Sequence, residues 1–152
     1  LIPGRGNPPF SFGGEMELQK QSEVYGCVLT SVAMCMDIQV SDLRNQIDHD
    51  PHEVTWPNAI GPRKYRGIQI EDLLPVIYKK GYWAMPFFAK TYINGKVIDI
   101  PICYEALSHT GIFMYAESQH VVAWDGKQIY DPSGLIYQIK YGWEEFWIIE
   151  SS

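Results

Sequence analysis

In QSEVYGCVLTSVAMCMDI, Cys27 stands directly after Gly26, where a segment of helical apolar spacing begins. A thiol at a helix N-terminus faces unpaired backbone N–H groups and the positive end of the helix dipole, both of which favour the thiolate, the reactive form. Six residues before it, Gln21 carries a side-chain amide that could join the Cys27 backbone N–H in holding a developing oxyanion. Acyl transfer through such a sulfur also needs a base. The second half of the chain holds one well-placed histidine, in QHVVAWDGKQIYDPSG.

If Asp125-Gly126 is a two-residue hairpin turn, residues whose numbers sum to 251 face one another: Trp124 opposes Lys127, Val122 opposes Ile129 and His120 opposes Asp131. Directly opposed residues share a face with β-carbons about 5 Å apart, near enough for a carboxylate to accept a hydrogen bond from an imidazole. That bond fixes the tautomer and supports the imidazolium. A bulge at Asp131-Pro132 would slip the pairing by one and break it. On its own the pair also suits a half-buried strand histidine and a carboxylate opening an Asp-Pro turn. Cys35 and Cys103, set among apolar or aromatic neighbours, read as core-packing residues.

Gln21, Cys27, His120 and Asp131, in that order and with the glutamine six residues before the cysteine, resemble the oxyanion glutamine and triad of papain-like cysteine peptidases. The nearer resemblance is to the compact branch typified by the bacteriocin-processing, double-glycine leader peptidases and similar bacterial and phage domains. QKQSEVYGCVLTSVAMCMDIQVSDL is similar to their nucleophile helix and the short helix after it, and HVVAWDGKQIYDPSG to their histidine strand and Asp-Pro hairpin. The likeness runs from Gln19 to Gly134, with 49–110 matched only by element order. It implies a thiol peptidase, a hydrolase of peptide bonds that works through a thioester acyl-enzyme and needs no cofactor. Cys27 is then the nucleophile, His120 the general base and acid, Asp131 its orienter and Gln21 the oxyanion donor. Gln19 is polar and close enough to exchange roles with Gln21. Gln119 reads as facing solvent or substrate.

The same thioester serves a deamidase, a transglutaminase-like enzyme or a cell-wall amidase, and a papain-like domain can also be catalytically silent and only bind. The stretch IDHDPHE offers Asp48, His49, Asp50, His52 and Glu53, a spacing far less specific for metal than a helical HExxH, so a solvated polar loop is the better reading. His109 sits among turn residues without an assignable partner. Gly13-Gly14 matches the pair after which leader peptidases cut, but also suits a flexible arm.

The chain has 152 residues, of which 46% are hydrophobic and 20% charged, enough for one core. Its formal charge of −6 argues against a phosphate-binding surface, so nucleic acid is not an expected partner; the resemblance implies a peptide or protein substrate. No apolar run approaches the length of a membrane span and the first residues lack a signal-peptide layout, so no membrane insertion is expected. Three cysteines cannot all pair internally, which leans towards a reducing working place without excluding secretion. The opening Leu1 suits a processed product or a piece of something longer.

These residues need positioning elements. Residues 1–15 read as an extended Gly/Pro-rich arm and 16–152 as a single domain. Positions 28, 29, 32, 33 and 36 predict a helix burying one stripe, Ser41 a cap for a second short helix, and Asp72 a third helix with Pro75 in its first turn and Gly81 past its end. FFAKTYINGKVIDIPI predicts a hairpin turning at Asn94-Gly95, and GIFMYA, QHVVAW, KQIYD, GLIYQIK and EEFWIIE predict further strands. Helices first and strands after define an α+β class, a helical part packed on an antiparallel sheet. The 49–67 loop and the aromatic 82–92 segment are the expected groove walls.

Overall fold

A computed structural model describes residues 16–22, 26–47, 68–115 and 119–152. The arm over 1–15 with its Gly13-Gly14 pair, and the loop carrying His49 and His52, lie outside the described residues.

The fold is α+β. Helices α1 (Cys27–Cys35), α2 (Val40–Arg44) and α3 (Ile70–Lys79) precede strands β1 (Tyr82–Phe88), β2 (Lys90–Ile93), β3 (Lys96–Asp99), β4 (Gly111–Tyr115), β5 (His120–Trp124), β6 (Ile129–Asp131), β7 (Leu135–Tyr137) and β8 (Glu145–Ser151). Among the described residues, six strands form one antiparallel sheet in the order β1-β8-β4-β5-β6-β7. The last strand therefore inserts between β1 and β4. There Gly111 is required by contact: a β-carbon on it would lie 2.2 Å from the Trp147 carbonyl oxygen and 2.8 Å from the Phe146 ring.

α1 lies across β4, β5 and β8, and Leu29 through Cys35 are all buried, not the single stripe that the apolar spacing predicts. A helix covered all round must satisfy its polar side chains locally. Ser31 Oγ donates to the Val121 carbonyl at 3.2 Å, and Cys35 Sγ to the Gly111 carbonyl at 3.1 Å. Both bonds tie the helix to strand backbone. The opposite face of the sheet carries an aromatic cluster in which Phe113 meets Phe146, Trp143 and Trp124 at centroid distances of 4.7, 5.3 and 5.4 Å. Burial on both faces accounts for the unalternating runs VVAW and FWII, whose eight residues are all buried.

Three local expectations are corrected. α2 starts at Val40 with Gln39 as N-cap, so Ser41 lies inside it. α3 starts at Ile70, where the Gln69 N–H donates to Asp72 Oδ2 at 2.9 Å; Asp72 caps from within the first turn, and Pro75 is the sixth helical residue. The carbonyl that Pro75 leaves without its helical donor belongs to exposed Glu71, where water can replace it. Finally, Phe87 and Phe88 belong to β1, and strand structure is interrupted at Ala89 before β2. Asn94 and Gly95, at φ 51° and 78°, make the expected two-residue turn. The β2–β3 pair it joins is a separate ribbon and not an edge of the main sheet.

Candidate active site

Cys27 is the first residue of α1, and the first intrahelical bond runs from the Thr30 N–H to the Gly26 carbonyl at 2.9 Å. The Cys27 backbone N–H therefore belongs to the first turn, which has no intrahelical acceptors. Its side chain is half-buried and acts on His120, the first residue of β5, strongly enough to raise that ring's pKa. His120 Nε2 in turn lies 2.8 Å from Asp131 Oδ1. With Nε2 on the carboxylate, Nδ1 is the ring nitrogen left for the sulfur.

The His120–Asp131 bond does not arise from the register that the sequence suggests. β5 and β6 pair Ala123 with Tyr130 and Trp124 with Ile129, so partner numbers sum to 253 and not 251. Asp125-Gly126 is part of a four-residue loop: Asp125 Oδ1 accepts from the Lys127 and Gln128 N–H groups at 2.8 and 2.7 Å, and Gly126 takes φ 98°. The slip is two residues, a full pleat repeat, so it preserves the face. Extending the register sets Val122 opposite Asp131 and His120 on the diagonal, within reach of an imidazole and a carboxylate.

Asp131 is buried, and its carboxylate takes three bonds. Oδ1 accepts from His120 and from the Ser133 N–H at 2.9 Å, and Oδ2 accepts from the Tyr137 hydroxyl at 2.5 Å. Burial alone would raise its pKa, but the bonds from Tyr137, Ser133 and His120 outweigh it and hold the carboxyl below its usual range. His120 is pushed up to about 9, first by its bond with Cys27; burial opposes this, and the bond and charge of Asp131 add to it. At neutral pH the ring is an imidazolium between a sulfur and a carboxylate.

Those shifts set a stability profile. A histidine raised from 6.5 to about 9 stabilises the fold fully below pH 6.5, and that contribution is lost as pH rises through 9. Asp131, lowered from 3.8, contributes above that value and loses its contribution as pH falls through the lowered one. The two overlap fully between roughly pH 4 and 6.5. Melting temperatures are expected to decline from pH 6.5 towards 9, and His120→Ala is expected to flatten that decline. An equal alkaline decline in both proteins would contradict the assignment.

The segment bearing the glutamines lies against the same turn. The Gln21 N–H donates to the Pro132 carbonyl at 2.8 Å, and the Lys20 stem comes within 3.6 Å of the β-carbon position of Gly134, whose φ is 107°. Gln21 is half-buried beside the Asp131 turn. Gln19 is committed elsewhere: its Nε2 donates to the Ile38 carbonyl at 2.7 Å and its Oε1 accepts from the Val40 N–H at 2.8 Å. Both ends of that amide staple the α1–α2 connection. Gln119 is exposed, at φ 51°.

Other expectations change. Cys35 is buried as expected, but Cys103 is exposed and precedes the 3-10 turn Tyr104–Ser108. His109 has a partner after all: its Nδ1 is 3.6 Å from Glu150 Oε2 and its ring meets Trp83 edge-on at 6.3 Å. It precedes β4 at the end where Gly111 pairs with Trp124, the far end of β5 from His120. The start of the 82–92 segment lies away from the site. Tyr82 donates its hydroxyl to the Met36 carbonyl, beyond the opposite end of α1 from Cys27, and β1 lies three strand spacings, about 14 Å, from β5.

Sequence reading missed Tyr137 and Tyr115. Tyr115 pairs directly with His120 across β4 and β5, donates to the Lys140 carbonyl, and is raised to about 12 by burial and the Asp131 charge. Tyr137 was findable: a turn over Pro132–Gly134 pairs Asp131 with Leu135, which puts residue 137 on the carboxylate's face one pleat repeat further on. Among the described residues no group of three or more His, Cys, Asp or Glu is arranged to hold a metal ion, and no helix is long and apolar enough to cross a membrane. No protein-family model, curated protein or solved structure matches the chain.

Proposed function

We propose that this chain is a papain-like cysteine peptidase that hydrolyses a peptide bond through a thioester on Cys27. The observation that carries the reading is the 2.8 Å bond between His120 Nε2 and Asp131 Oδ1, on a ring whose pKa is raised by a cysteine at a helix N-terminus. The sulfur attacks the substrate carbonyl carbon, and the oxyanion that forms is held by the Cys27 backbone N–H and the Gln21 side-chain amide. Collapse breaks the C–N bond as the imidazolium of His120 protonates the leaving amine. Neutral His120 then takes a proton from water, whose oxygen attacks the thioester, and the acid product leaves with the sulfur restored as thiolate beside an imidazolium. Asp131 stays ionised throughout and holds the ring on Nε2.

Turnover of a peptide-amide library by the wild type, absent from Cys27→Ala, tests the reading. Products with a cut backbone support peptidase action, whereas a gain of about one dalton on a glutamine would reassign the same thioester to deamidation. Gln21→Ala is expected to lower kcat by about 10²-fold with little change in KM, the mark of an interaction made in the transition state. An unchanged kcat would remove Gln21 from the site.

A further inference from the structure

We infer that Tyr137 is a positioning residue of this site, extending the series to Tyr137–Asp131–His120–Cys27 and fixing the carboxylate that orients the histidine. The inference rests on the acyl-transfer reading and deepens it. A carboxylate that receives His120 and the Ser133 N–H only on Oδ1 can still rotate about its side-chain bonds. The Tyr137 hydroxyl, donating to Oδ2 at 2.5 Å, closes that freedom at the length of a charge-assisted O–H···O bond. β7 pairs with β6 through Ile129–Tyr137 and Asp131–Leu135, so the hydroxyl's position is set by the sheet.

The groups around the carboxylate, taken element by element, leave Tyr137 as its donor from β7. β5 contributes His120, and β4 contributes Tyr115, whose hydroxyl is engaged with the Lys140 carbonyl. α1 contributes Cys27 through the histidine. Lys20, from the segment before α1, lies along Gly134, and the Lys140 amine stands 5.3 Å from the Tyr137 ring centroid, over the face of the ring. Removing the phenolic hydroxyl leaves an aromatic ring of the same shape on a half-exposed edge strand while depriving the buried carboxylate of one of its three donors.

The test is the pH profile of Cys27 alkylation by iodoacetamide in wild type, Tyr137→Phe and Tyr115→Phe, with melting curves at each pH. In wild type, Cys27 reactivity is expected to fall on the acid side as Asp131 protonates and releases the imidazolium. Tyr137→Phe is expected to move that limb upward by about one pH unit, with Tyr115→Phe leaving it in place. A limb unmoved in Tyr137→Phe, or moved equally in both variants, overturns the inference. If wild-type Cys27 reacts no faster than Cys103, the underlying acyl-transfer reading fails instead. Should Tyr137→Phe not fold, wild-type NMR decides: the assigned Tyr137 ring signal must titrate with the acid limb, and a different midpoint overturns the inference.

Discussion

Cys27→Ala is expected to lower peptide hydrolysis by about 10⁴-fold or more, because it removes the atom that becomes acylated and no neighbouring group can replace it. Among the described cysteines, Cys35 is buried, with its S–H on the Gly111 carbonyl, and Cys103 lies outside the site. Neither can take over. The fold should survive the change. Cys27 is only half-buried, alanine suits a helix, and the intrahelical bonding of the first turn begins from the Gly26 carbonyl without the thiol. A melting shift of no more than about 1 kcal/mol is expected beside the lost activity. Product mass spectrometry on equal amounts of the two proteins checks this, and a variant that retains the wild-type rate would remove Cys27 from the chemistry.

His120→Ala is expected to cost about 10³- to 10⁴-fold in kcat/KM, since one ring serves as acid to the leaving amine and base to the attacking water. Unlike the cysteine change it leaves the nucleophile present but without its partner. Alkylation of Cys27 should therefore fall below the rate of an ordinary exposed thiol, for which Cys103 in the same molecule is the internal standard. Asp131 keeps its Tyr137 and Ser133 donors in this variant, so no buried carboxylate is orphaned and folding should persist. A peptidase rate within tenfold of wild type would show that the bond to Cys27 is structural and not catalytic.

The position of Cys27 was legible because Gly26 and the apolar spacing after it mark a helix start, and a helix start fixes where the first side chain stands. The His120–Asp131 pair was legible for a partly mistaken reason. The count assumed a two-residue turn at Asp125-Gly126, whereas the Asp125 carboxylate draws two further N–H groups into the loop. The error was an even number of residues, so the face survived it; an error of one would have separated the pair.

What stayed hidden depends on tertiary order. Nothing local says that β8 inserts between β4 and β1, and that insertion sets β1 three strands from β5. Cys103 follows the apolar residues 100–102 yet stands exposed, because those neighbours rim a cleft of about 290 Å³ with Phe87, Trp143 and Phe146 instead of drawing the chain into the core. α1 was expected to bury one stripe, but it is covered by sheet on one side and by α2 on another, so its polar residues had to find strand carbonyls. That Gln19 is tied to the α1–α2 connection was hidden because only in three dimensions does it find two backbone partners.

The central claim is that the Cys27 sulfur is activated by His120. Competitive alkylation at pH 6 with a limiting amount of iodoacetamide, read by peptide mass mapping, tests it most directly. Accessibility alone ranks exposed Cys103 above half-buried Cys27. Activation reverses that order: Cys27 is expected to be modified at least about tenfold faster than Cys103, and His120→Ala should restore the accessibility order. Modification of Cys103 as fast as or faster than Cys27 in the wild type would contradict the account.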